Sequence, residues 1–484
     1  MAYCYNCGRE LAEGDSSCPE CRTRVVKKLK TELRCGECDS PIRDDYPYCP
    51  NCGLEFENEY NLLEDINSTL SDVVNFIKER PLVALITLFI LIGSTYMKVD
   101  FARDYRAPLP GQDDEGYHRF GLSIAGGKGF PGYYYEPGFS YFLGMVYYLF
   151  GGDYVIGRLS LVLLSVINAF LLWKIAKLLF NDRVAWASFV ISLVDLDLFF
   201  HATNLYNEML LISVLLVGFY CMFIFRKYNN LKSWIVASAA VGFSLYLKAQ
   251  TVFLIPAIII WLLINLKDRK HVLRLSAILL AAVLIIQLPW FIRNYNVSGG
   301  EIVFVSTNSG VNFWIGNNPY SSGCYEHSPP EGVHYSPFEN LDPAQPNYDA
   351  AKNRLAIKLA LEHITAHPDI FIQKINRFLT EFWFIPTETC ILRWYPENYL
   401  AYAWPLWILT LAGVALTCKR YWKQHSIFYL YFAITTVTYM VSFYMQRYKV
   451  PLIPFEIMFA SYAIINLLSR VKVEKKHADY WKKK

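Results

Sequence analysis

LSAILLAAVLIIQLPWFI (275–292) carries no charge between Arg274 and Arg293. A hydrocarbon core about 30 Å thick needs roughly 20 apolar residues of helix, so this run is a membrane-span candidate. Its apolar residues occupy every face of the 3.6-residue period, unlike a surface helix with one apolar stripe. Working outward, similar runs occur at 81–98, 154–178, 184–200, 207–225, 232–248, 251–266, 400–418, 426–444 and 451–469. The expectation is a mainly α polytopic membrane protein of about ten transmembrane helices. Composition agrees: at 54% hydrophobic and 16% aromatic residues over 484 positions, the chain is too apolar for a soluble enzyme of this length.

Charge orients the spans. The short connections with Lys174, Lys177 and Arg183, with Arg226, Lys227 and Lys232, with Lys267, Arg269, Lys270 and Arg274, and with Lys419, Arg420 and Lys423 are basic. They alternate with connections nearly free of Lys and Arg. By the positive-inside rule the basic loops and both termini are cytoplasmic, and the loops 99–153 and 293–399 are external. The expected location is the plasma membrane. The net charge of +4 follows from this topology, so no nucleic-acid partner is expected.

The N-terminus carries a second signal. Cys4, Cys7, Cys18 and Cys21 recur as Cys35, Cys38, Cys49 and Cys52, each 31 positions on. Two pairs of Cys-x-x-Cys turns supply the four thiolates that tetrahedral zinc requires, and so short a unit has little core without its metal. The expectation is two small zinc ribbons, 1–26 and 32–56, each holding one structural Zn2+. In a reducing cytoplasm zinc is preferred to disulfides. Such units bind partners, so a cytoplasmic protein partner is expected. Residues 57–80 follow, with Leu62, Leu63, Ile66, Leu70, Val73, Val74 and Ile77 at helical spacing. That stripe suits a helix lying on the inner membrane face, on a partner, or on the ribbons.

Ionisable groups inside a bilayer are costly and mark function. Asp195, Asp197, Glu208, Lys248 and Glu456 all fall toward the outer ends of their spans, which favours a cavity opening outward over a midplane transport path. The loop beyond the first span opens with Asp113, Asp114 and Glu115, then Tyr117, and continues to Tyr135-Glu136-Pro137-Gly138. The run 275–292 exits as Pro289-Trp290-Phe291-Ile292-Arg293-Asn294-Tyr295, followed by Ser306-Thr307-Asn308-Ser309-Gly310 and Gly316-Asn317-Asn318. Arg447-Tyr448-Lys449-Val450-Pro451 precedes the last span.

Together, and in this order, these elements resemble the GT-C glycosyltransferases, the superfamily of dolichyl-phosphate-mannose protein mannosyltransferases and lipid A aminoarabinose transferases. The resemblance covers about 81–470, with the ribbons outside it and residues 471–484 as a basic tail. It implies a GT-C fold with an external loop and helix cap, and an enzyme that moves a sugar from a polyprenyl (dolichyl) phosphate to a glycan, lipid or protein acceptor. The reaction is a single inverting displacement. Phosphate is already a good leaving group, so one carboxylate suffices to take the acceptor's proton. Asp113, four residues before Tyr117, matches the family's Asp-x-x-x-Tyr element, with Asp114 and Glu115 as alternatives. Lys248, Arg293 and Arg447 are the cations for the departing phosphate, and Tyr117 and Glu208 complete the expected substrate site. Lys248 stands where many relatives carry Arg, which keeps the charge but loses the planar fork. A catalytic divalent metal at the acidic cluster is possible but not favoured, since those cations would meet a monophosphate. Two other readings are a transporter of a lipid or small solute, and a zinc-ribbon membrane scaffold with an inactive transferase domain. The fusion of ribbons to such a transferase suggests an archaeal source.

Overall fold

A computed structural model describes residues 2–3, 10–11, 62–104, 113–321, 323, 337–383 and 399–482. Of the ribbons it describes only an antiparallel pair, β1 (Ala2–Tyr3) with β2 (Glu10–Leu11). The eight expected zinc ligands lie outside the described residues.

The remainder is helical. In chain order the helices are α1 (Leu62–Glu79), α2 (Pro81–Asp104), α3 (Asp113–Ala125), α4 (Gly138–Phe150), α5 (Tyr154–Leu179), α6 (Asp182–Val194), α7 (Leu196–Thr203) and α8 (Glu208–Tyr228). There follow α9 (Leu231–Ser244), α10 (Leu254–Asn265), α11 (Arg269–Val297), α12 (Asn308–Ile315), α13 (Tyr348–Ala366), α14 (Pro368–Trp383), α15 (Tyr399–Val441) and α16 (Ile453–Lys482). Short polar loops start the apolar helices cleanly. Asp153, Asn181, Asn230 and Asp268 each accept a backbone N–H in the first turn of α5, α6, α9 and α11, satisfying donors the helix leaves orphaned.

All ten apolar runs fall on helix, but they are not ten long rods. Among the described residues five helices are long and apolar enough to cross a membrane, and α6 with α7, bent by 54° at Asp195, makes a sixth if the pair is one span. Asp195 ends α6, and its side chain accepts the Leu198 N–H to start α7 at 2.9 Å. α9 and α10 are shorter, because the chain leaves helical geometry at Lys248 (φ −155°, ψ 109°) before a 3-10 turn, Ala249–Phe253. α15 contains two of the expected runs, separated by a kink at Tyr421 (φ −121°, ψ 16°). Beyond the spans, residues 348–383 form two helices that break at His367, with Pro368 opening α14 where its missing N–H costs nothing.

The core is built from α5, α6, α8, α9, α10 and α16, with Trp173, Trp234 and Trp261 fully buried. Gly413 allows α15 to lie against α16: a Cβ there would meet the Phe459 carbonyl oxygen at 2.0 Å. α1 does not stand off the bundle. Asp65 pairs with Lys174 and accepts the Tyr220 hydroxyl at 2.9 Å, and Asp72 pairs with Lys177. The opposite stripe of α1, Ile66, Leu70, Val74 and Ile77, stays exposed. The charged side of α1 thus faces the bundle and its apolar side faces outward.

α5 orients everything else. Lys174 and Lys177 in its last turns hold α1, while Tyr154, its first residue, donates to Asp114 Oδ2 at 2.7 Å. Lys174 and Lys177 are 20 and 23 positions beyond Tyr154 (174 − 154, 177 − 154), or about 30–35 Å at 1.5 Å per residue. The linker from the ribbons and the acidic cluster are therefore at opposite ends of the bundle.

Candidate active site

α3 begins at Asp113, so the three acids stand in its first turn, where the helix dipole favours negative charge. Consecutive residues of a helix diverge by about 100°, and only positions three or four apart share a face. Asp113 and Tyr117 accordingly line one cavity together. Asp114 is turned inward onto Tyr154 and is 5% exposed; it fastens α3 to α5. Glu115 does not line the cavity.

The opposite wall comes from two breaks in the helical pattern. Lys248 reaches the cavity from the non-helical step after α9. Arg447 comes from the 3-10 turn Gln446–Leu452, made by the Arg-Tyr-x-x-Pro run. Arg447 pairs with Asp113 at 2.6 Å. Glu208, the first residue of α8 and 1% exposed, lies behind both cations, 3.5 Å from Lys248 Nζ and 3.9 Å from Arg447 Nε. A buried carboxylate between two cations offsets their mutual repulsion and holds both at fixed positions. The ring of Tyr448 adds a second constraint, 4.3 Å from Lys248 Nζ.

Arg293 does not join them. Its guanidinium donates to the carbonyls of Phe130 and Gly132 and lies 4.5 Å from the Trp290 ring centre. Trp290 Nε1 in turn donates to the Val305 carbonyl at 2.9 Å, and the Asn294 amide to those of Val303 and Val305 at 3.3 and 3.1 Å. The Pro-Trp-x-x-Arg-Asn exit is a clamp that fixes the chain leading into α12. The consequence for the site is Asn308, at the start of α12, which enters the cavity.

Asn308 brings in a carboxylate to which the sequence assigned no role. Glu136 lines the cavity, accepting from Asn308 Nδ2 at 3.1 Å and from the Ala249 N–H at 3.4 Å. Burial raises its pKa, against the pull of those hydrogen bonds and of Lys248. Burial, reinforced by the Asp113 carboxylate, also holds the Tyr117 hydroxyl well above its usual value, so it stays protonated. Tyr206, Asn207, Gln250 and Asn312 complete the polar lining. Glu136 was legible as an acid in an external loop; its entry into the cavity depends on the approach of Gly138 to the Tyr246 carbonyl, where the N–H donates at 2.7 Å.

The cavity measures about 180 Å3, below the roughly 300–1,000 Å3 usual for small-molecule pockets. The Asp113–Arg447 pair closes across it. Among the described residues no three His, Cys, Asp or Glu side chains converge to hold a metal ion.

Residues 135–292, from the lining acid's neighbour Tyr135 to the clamp, match the family model described as dolichyl-phosphate-mannose-protein mannosyltransferase. The architecture matches the archaeal oligosaccharyltransferase AglB of Archaeoglobus fulgidus, solved with an inhibitory peptide and a dolichol-phosphate. The TM-score is 0.51 at 11% identity, over 84% of this chain and 52% of that one. The fold is that of the GT-C membrane glycosyltransferases. The same A. fulgidus enzyme tethered to an acceptor peptide matches with a TM-score of 0.52 at 10% identity, over 83% and 51% of the two chains. ArnT from Cupriavidus metallidurans matches at 0.40 and 15% identity, over 79% and 78%. The chain spans about half the length of the archaeal structures it matches. Residues 4–53 match the double zinc ribbon family. No curated protein matches the sequence.

Proposed function

We propose that this chain is a membrane glycosyltransferase that moves a sugar from a polyprenyl-phosphate donor to an acceptor hydroxyl or amine, with inversion. The observation that carries the reading is the placement of one accessible carboxylate, Asp113, opposite two cations held by a buried acid, Lys248 and Arg447 on Glu208, in a single cavity. Asp113 takes the proton from the acceptor O–H or N–H as its lone pair forms the bond to the anomeric carbon. The bond from that carbon to the phosphate oxygen breaks, and polyprenyl phosphate leaves with the electron pair. Lys248 and Arg447 stabilise the charge that develops there.

The Asp113–Arg447 pair fits this sequence of events. A phosphosugar needs more room than the cavity has while the pair is closed, and a donor phosphate is the group best able to take Arg447 from Asp113. Donor binding thus frees the carboxylate to act as a base. Arg293 has no part in this step, and a divalent metal is not needed for it.

The same proposal includes ten spans, counting α9, α10 and the two halves of α15, with both termini cytoplasmic and the cavity external. The acceptor is a glycan, lipid or protein. The two ribbons, with four cysteines each, would hold one zinc ion apiece through thiolates, and the metal would supply the fold that so short a unit lacks. β1 and β2, which pair antiparallel, flank Cys4 and Cys7 in the sequence. The ribbons then face a cytoplasmic protein.

The test is transfer of label from radiolabelled polyprenyl-phosphate sugars in membranes containing wild type or Asp113→Asn at equal protein level. Transfer by wild type alone supports the assignment, with a loss of about 10²–10⁴-fold expected for removing a positioned base. Loss with Asp114→Asn or Glu115→Gln but not with Asp113→Asn would move the base elsewhere on α3. Flux of a lipid or solute that survives Asp113→Asn, without any transfer, would favour a transporter.

A further inference from the structure

The described surface holds another built cavity at the far end of the bundle, beside α1. Two chambers meet there and share Arg80, Arg183, Ile465 and Ser469. One is an apolar shaft of about 720 Å3 between α2, α6 and α16. The other is a more polar pocket of about 430 Å3 that adds Asn181, Asp182, Tyr421 and Asn466.

The shaft has a direction. One wall runs from Arg80, immediately before α2, to Val83 and Thr87 on α2, and the other runs Arg183, Ala187, Val190 along α6. Both series are at i, i+3 or i+4, and i+7, one face of each helix. Each begins with an arginine and continues apolar or small for about 10 Å of helix. Phe76 of α1 stacks on Trp186 of α6 with ring centres 3.9 Å apart and closes one side of the mouth.

The charge at the mouth is unbalanced. Among the described residues neither Arg80 nor Arg183 has a side-chain hydrogen bond or ion pair, and both are exposed. Asp182, the acid of the polar chamber, is 3.2 Å from Lys177. Glu79 and Lys78 adjoin Arg80 in the sequence, and the tail continues from Ser469 as Arg470, Val471 and Lys472. That basic tail is an unsuitable occupant for a mouth already carrying two free cations.

We propose that this groove is a binding site for an anionic phospholipid, with the phosphate between Arg80 and Arg183 and one acyl chain in the shaft between α2, α6 and α16. The apolar shaft accounts for the chain, and the two guanidiniums account for the phosphate, which they recognise through paired N–H donors. Basic pockets between spans on the cytoplasmic side are the recognised setting for such headgroups. A bound lipid would join α1, and hence the segment carrying the ribbons, to the bundle independently of the sugar-transfer site.

The experiment uses the purified full-length protein in neutral detergent, with native mass spectrometry to count retained lipid and a melting curve as second readout. Phosphatidylglycerol, phosphatidylcholine of the same chains and inorganic phosphate are the three probes. Wild type is expected to retain phosphatidylglycerol at least tenfold better than phosphatidylcholine and to melt higher only with the former. Arg80→Gln/Arg183→Gln removes the preference. Ala187→Phe fills the shaft, leaves both arginines and also abolishes retention; Ala187→Leu replaces it if the phenylalanine variant does not fold. Equal retention of both lipids by wild type overturns the proposal. So does a preference that survives either kind of variant, or an equal melting shift with inorganic phosphate. None of these readouts depends on sugar transfer, so failure here is distinguishable from failure of the transferase reading.

Discussion

Replacing Glu208 by Gln removes one charge from the centre of the site while keeping the side chain's shape. Glu208 is 1% exposed, and the two cations that it meets, Lys248 and Arg447, have side chains 10% and 16% exposed. At 3.5 and 3.9 Å each attraction is about 4 to 5 kcal/mol with an effective dielectric of 20, most of it offset by desolvation. Removing one partner of a buried pair costs about 3–5 kcal/mol. These separations exceed those of close contact pairs, so about 3 kcal/mol is expected for Glu208→Gln. At ~2 °C per kcal/mol in a large chain, the midpoint falls by ~6 °C, read by a dye-based melt of purified protein in detergent. Removing a cation as well, in Glu208→Gln/Lys248→Gln, restores the charge balance and is expected to recover most of the loss. A single variant that melts like wild type would refute the role of Glu208 as the anchor of both cations. A double variant worse than the single one would refute it too.

Further outcomes follow from the same contacts. Arg447→Lys keeps the charge but cannot reach Asp113 and Glu208 with separate nitrogens, so transfer is expected to fall about 10–100-fold, equivalent to roughly 1.4–2.7 kcal/mol of barrier; full activity would show that charge alone suffices. Lys374 of α14 donates to Asn317 Oδ1 at 2.8 Å and to the Val441 and Ser442 carbonyls at 3.1 and 2.5 Å, and burial pushes its pKa down to about 7. The unfolded chain therefore binds more protons between about pH 7 and the ordinary lysine value. Stability should rise with pH across that window and lose this dependence in Lys374→Met; a flat wild-type profile would show that the three acceptors keep the ammonium charged. A strong chelator should release zinc, about two ions per chain with all eight ribbon thiolates engaged and one fewer in Cys7→Ser, as read by a colorimetric zinc assay. Deleting residues 1–55 should leave transfer intact in the purified protein.

Apolar runs, capping residues and the duplicated cysteine spacing are local properties, and each follows from a few neighbouring residues. On those grounds the sequence by itself determined a helical membrane protein with two ribbon-like units, and placed Asp113 and Tyr117 on one face of a helix through their spacing of four. It could not determine which helices run straight. At Asp195 a side chain takes the Leu198 N–H and the pair of helices bends, and the backbone leaves helical geometry at Lys248 and at Tyr421. Nor could it sort the cations. Arg293 and Arg447 read alike as external arginines at the ends of spans, yet one clamps a loop through the Phe130 and Gly132 carbonyls and the other faces Asp113. Only the tertiary structure decided this, because Asp113, Glu136, Glu208, Lys248 and Arg447 come from segments as much as 334 positions apart (447 − 113). A buried charge's role is set by the groups in direct contact with it in space, and sequence separation does not encode that distance.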